Sequence, residues 1–85
     1  MAASHTSFEE AFGQALRAKR LQLGLSQEGL EFRSGVHRTY ISEIERAIKC
    51  PSLRVVVALA RALGVRPHLL IAAAEELLDE SFFSR

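Results

Sequence analysis

The segment SQEGLEFRSGVHRTYISEIER, residues 26–46, constrains the fold more than any other part of the chain. Ser26 offers a side-chain oxygen to the orphan N–H groups of a helix that begins at Gln27. That helix runs to Arg33 and stops at Ser34-Gly35, where glycine permits the positive φ that ends a helix. A second helix starts near His37 or Arg38 and runs to about Arg46. Val36 points inward, and Ile41 and Ile44 follow it at helical spacing, so one face is buried. The opposite face carries Arg38, Thr39, Ser42 and Glu43. It is a row of hydrogen-bonding groups on a helix thin enough for the major groove of DNA.

Two short helices joined by a tight turn are most economically a helix-turn-helix. The wording around the turn is specific. LSQEGLE at 25–31, SGVHRTYISEIER at 34–46, PSL at 51–53 and LARALGV at 59–65 resemble the lambda-repressor-like family of Cro/C1, or xenobiotic-response-element, type. The resemblance covers roughly residues 8 to 70. Within the family, HRTYISEIER is most similar to the small controller proteins of restriction–modification systems. The resemblance implies an all-α domain of five helices that binds DNA and regulates transcription. Four residues depart from the family pattern: Gly29 stands in place of Glu, Glu31 of Ala, Ala47 of Gly and Cys50 of Asn. Glu31 must bend outward or find a cation, Arg38 or Arg33. Ala47 either adopts a left-handed backbone at a cost or reshapes the turn.

Eighty-five residues make one domain with a modest core. The net charge of +1 hides a strong division. Residues 17–66 carry ten Lys/Arg against four Glu, whereas residues 1–16 hold a net −2 and residues 67–85 a net −3. A basic middle between acidic ends suits a nucleic-acid face opposite a non-binding one. A single cysteine excludes an internal disulfide and fits a reducing compartment. The first residues have no signal-peptide pattern, and the longest apolar runs, Val55–Ala60 and Leu69–Ala74, are too short to span a bilayer. The expectation is a cytoplasmic protein with no membrane partner.

Along the chain, Ser7 and Glu10 form a capping box for a first helix whose inner side carries Phe8, Phe12, Ala15, Leu16 and Leu23. Residues 1–6 are expected to be disordered. Ser52 caps a fourth helix, Leu53 to Leu63, with Leu53, Val56, Val57 and Ala60 as its core stripe. Val55 and Leu59 lie off that stripe and hint at a second buried face. Pro67 opens a last helix, apolar on nearly all sides through Ala74, in which Leu70, Ala73, Ala74, Leu77 and Leu78 recur at helical spacing. One small monomer does not readily bury all of this, so residues 67–85 are expected to dimerise about a two-fold axis, with Val55 and Leu59 as further contacts.

The family resemblance distributes roles over the basic middle. Arg38 and Thr39, in the first turn of the second motif helix, and Ser42 and Glu43, one turn on, fall where the family reads bases. Arginine pairs with guanine O6 and N7, threonine touches a thymine methyl, and glutamate accepts from cytosine N4. Gln27, His37, Tyr40, Arg46, Lys49 and Arg17 are expected on the DNA backbone. Arg20 is expected to pair with Glu45 as a structural ion pair. The partners implied are a double-stranded operator, a second copy of the chain, and RNA polymerase or a cognate protein. A repressor of phage or plasmid type is close to the controller reading, and an antitoxin or coactivator-type interaction module is the competing class. His5, His37 and His68 share no metal-ligand spacing, and no catalytic dyad or phosphate loop can be assembled, so neither cofactor, metal nor enzymatic activity is expected.

Overall fold

The computed structural model describes residues 7–84, so the expectation for residues 1–6 lies outside the described residues. Five α-helices follow one another: α1 (Phe8–Gln22), α2 (Gln27–Ser34), α3 (Arg38–Glu45), α4 (Leu53–Leu63) and α5 (Pro67–Glu75). A 3-10 turn, Glu80–Phe83, follows. The starts are chemically marked. Ser7, Ser26 and Ser52 each accept, through the side-chain oxygen, the N–H three residues on, at 3.1, 2.9 and 3.2 Å. Gly35 and Gly64 close α2 and α4 with φ of 78° and 75°.

The helices surround one core in which Phe12, Leu16, Leu30, Ile41, Ile44 and Leu59 are fully buried. Helix α1 lies against α3 and α5, α2 against α3 and α4, and α4 against α5. The motif helices α2 and α3 are thus braced from behind by α1 and α4. No single helix among the described residues is long and apolar enough to cross a membrane.

Three expectations are corrected by the packing. First, α4 presents Val56, Leu59, Ala60 and Leu63 to the core, while Leu53 is 80% and Val57 41% exposed. In LRVVVALARAL nearly every position is apolar, so several helical stripes fit the pattern and only the neighbours select one. Leu59, at 0% exposure, is interior to the protomer and leaves the set expected at a partner surface, as do Leu70 and Ala74 at 3% and 0%. Second, α5 ends at Glu75. Leu77 and Leu78 donate to carbonyls only three residues back, at 3.0 and 3.1 Å, and fold half-buried onto the core. Third, Leu23 sits just past α1 as its C-cap and is 43% exposed.

Helix α1 contains a glycine whose role is invisible in the sequence. A Cβ on Gly13 would lie 2.5 Å from the Ile44 carbonyl oxygen and 2.8 Å from that of Glu45. The backbone of α1 therefore touches the C-terminal end of α3 directly, with no side chain between.

Candidate nucleic-acid interface

Helix α3 is built as a shelf with one dry and one wet side. Ile41 and Ile44 anchor it in the core, and Val36 plugs the turn before it. Arg38 and Thr39 stand exposed in its first turn, with Ser42 and Glu43 half-exposed one turn later. These four therefore share a solvent-facing side of the helix that enters from the tight turn. Tyr40 lies half-buried against the core and flanks that side.

The helix starts on an unusual cap. His37 Nδ1 accepts the Thr39 N–H at 3.1 Å, doing what a serine or aspartate does elsewhere. Its other nitrogen, Nε2, is 3.9 Å from Glu31 Oε2. Glu31 thus turns toward the histidine rather than toward Arg38 or Arg33, and the departure from the family pattern at position 31 has a local partner.

Rigid support comes from a buried network behind α3. Arg20 Nε and Nη2 donate to Glu45 Oε2 and Oε1 at 2.7 and 2.9 Å, and Nη1 donates to the Leu25 carbonyl at 2.8 Å. The side chains are only 8% and 3% exposed. The hydrogen bonds that Arg20 donates to Glu45 raise its pKa against the opposing pull of burial, and the carboxylate charge adds to the rise. The guanidinium therefore stays charged at every working pH. Gln27 Nε2 also donates to Glu45 Oε1, at 3.1 Å. That bond ties a residue expected on the DNA backbone into the scaffold, although the first-turn N–H groups of α2 remain beside it.

The loop after α3 is shaped by hydrogen bonds to one carbonyl. Ile48 and Lys49 both donate their N–H to Glu43 O, at 2.8 and 3.3 Å. Ala47 adopts φ 62°, the left-handed backbone usually left to glycine, so the turn keeps its shape at a conformational cost. Arg46 and Lys49 project from this loop into solvent, with Arg46 Nε donating to Ser42 Oγ at 3.2 Å. Arg17 is exposed on α1.

Sequence reasoning missed Glu28. Its Oε2 accepts from Arg38 Nη1 at 2.8 Å, across the turn, in a pair that stays open to solvent. Ten residues separate the two, and no helical or strand periodicity flags such a pairing.

Comparison with known proteins gives a consistent picture. The helix-turn-helix family model matches residues 16–70. Control protein C.BamHI of Bacillus amyloliquefaciens is 46% identical over 61 residues, which are 71% of this chain and 75% of that protein. Among solved structures, the restriction-modification controller protein C.AhdI from Aeromonas hydrophila superposes with a TM-score of 0.71 at 44% identity, over 73% of this chain and 94% of that one. The clp gene regulator ClgR from C. glutamicum superposes with a TM-score of 0.82 at 29% identity, over 89% and 99% of the two chains.

Proposed function

Because this chain belongs to the helix-turn-helix family of DNA-binding transcriptional regulators, we propose that it works as a homodimeric controller protein on a pseudo-palindromic operator. The observation that carries the reading is the polar side of α3, exposed where it meets solvent and fixed from behind by the Arg20–Glu45–Gln27 network. In a two-fold dimer, two such helices enter successive major grooves about 34 Å apart. Arg38, Thr39, Ser42 and Glu43 read base edges. Arg46 and Lys49 from the loop, His37 and Tyr40 beside the helix start, Gln27 at the head of α2 and Arg17 on α1 position the duplex through its phosphates.

For the dimer contact, α5 still offers an outer strip after its buried residues are removed. Leu69 is 52% exposed and Ala73 is exposed beside it. Val65 extends this strip into a shallow apolar groove rimmed by Lys19 and Gln22 of α1. Leu77 and Leu78, half-buried after α5, and Val55 on α4 lie at the margins of the core and extend the surface a second copy would cover. The likeness to proteins named as control proteins supports a restriction–modification system as the regulated locus, and on this reading the protein acts in the cytoplasm, through RNA polymerase or a cognate protein.

The test is selection of bound sequences from a random duplex library by the purified protein at near-physiological salt. Enrichment of a two-fold-symmetric site with half-sites about one helical turn apart supports the reading. A folded protein that enriches nothing refutes it and redirects the search to a protein partner.

A further inference from the structure

The geometry points to Glu28 as a positioning residue for sequence reading, one that holds the Arg38 guanidinium so that its free edge faces the base pair. The inference rests on Arg38 being a base reader and adds the residue that aims it. Glu28 sits in the first turn of α2, two residues after Ser26, whose cap fixes the backbone there. Arg38 is the first residue of α3. The 2.8 Å contact from Glu28 Oε2 to Nη1 engages only one corner of the fork. A guanidinium has five N–H donors, so Nε and Nη2 remain for guanine O6 and N7.

The pair has no sufficient structural purpose. With side chains 69% and 55% exposed, it belongs to a class of ion pairs that contributes almost nothing to folding. A carboxylate on a face that approaches phosphate also works against affinity for any DNA. What it does supply is order. A free arginine side chain samples many rotamers, and an anchored one has surrendered part of that freedom before DNA arrives. The neighbouring Gln27 grips Glu45 at the other end of α3, so adjacent residues of α2 hold both ends of the reading helix. Arg20, Ser26 and Gln27 line one shallow polar cleft with Glu28 and Arg38, which leaves the guanidinium open to a ligand on that side.

The experiment uses the full chain and the site it selects from a random library. Binding to duplexes changed at each base pair in turn is measured for the wild type, Arg38→Ala, Glu28→Gln and the double variant. Arg38→Ala should flatten the preference at one base pair per half-site. Glu28→Gln should flatten preference at that same pair by about three- to thirtyfold, the ceiling being set by the rotamer freedom of one arginine. It should leave the other positions unchanged and have no further effect in the Arg38→Ala background. A Glu28→Gln protein that tightens equally on all sequences shows a mere repulsive charge and overturns the inference. A sharpened preference overturns it too, since Glu28 would then compete with the base. If Arg38→Ala weakens all duplexes alike, the base-reading assignment itself falls and takes Glu28 with it, an outcome distinct from the other two. Glu28 is exposed, and circular dichroism of the variant checks that the fold is intact.

Discussion

Replacing Gly13 with alanine separates a local from a tertiary account of this domain. Gly13 lies inside α1, where propensity alone predicts that alanine stabilises by about 1 kcal/mol. The added methyl would instead stand 2.5 and 2.8 Å from the carbonyl oxygens of Ile44 and Glu45. Both are backbone atoms at the end of α3, so no rotamer change relieves the contact. Helices α1 and α3 must separate, or α3 must tilt. Overpacking of a well-filled interior costs about 1–3 kcal/mol, and two backbone clashes place this site at the upper end. Subtracting the propensity gain leaves a net loss of about 2 kcal/mol. For a domain of this size that lowers the melting temperature by about 8–16 °C. Gly29→Ala is the internal control. It also lies in a helix, but its nearest neighbours are the Leu25 and Ser26 side chains at 3.4 Å, so the propensity gain should appear as about 0.5–1 kcal/mol of added stability. Urea unfolding of both variants, compared at an unchanged m-value, reads the two signs. A Gly13→Ala protein as stable as the wild type refutes the claim that α1 and α3 meet backbone to backbone. Operator affinity should fall in the same variant, since a shifted α3 no longer aims its polar side as before.

Other perturbations test the remaining parts. Arg20→Met strands the Glu45 carboxylate in a nearly water-free site and should cost about 3–5 kcal/mol, read by thermal unfolding; Arg20→Met with Glu45→Leu should recover much of it. His37→Ala removes the acceptor for the Thr39 N–H and should destabilise by about 1 kcal/mol in urea unfolding, while His37→Asn, a good cap, should not. Ala73→Glu places charge on the exposed strip of α5 without entering the core, so sedimentation should show monomers and operator binding should weaken. A variant that remains dimeric moves the contact away from α5.

Much of the architecture was written in local signals. Three serine caps, two glycine stops and Pro67 mark helix ends by chemistry that depends on only a few adjacent residues, so the bounds of α2, α4 and the start of α5 were legible directly. The polar side of α3 and the buried side beneath it follow from helical spacing, and the Arg20–Glu45 pair followed from the family wording around it. Where the local pattern was degenerate, the reading failed. Helix α4 is apolar nearly all round, and only contact with α2 and α5 decides that Leu59 is interior while Leu53 and Val57 face water. The run from Leu70 to Leu78 keeps helical spacing past Glu75, yet the core captures Leu77 and Leu78 by a turn instead. Gly13, the Glu31–His37 contact and the Glu28–Arg38 pair were equally out of reach. Each depends on how one helix lies against another or on how the chain turns between them. The sequence alone determined where the helices start, where most of them stop and which residue types face outward on α3, because those are decided within a turn or two of backbone. Tertiary structure alone decided which apolar faces were free to meet a partner and what holds Arg38 in place, because those are set by distances between segments far apart in the chain.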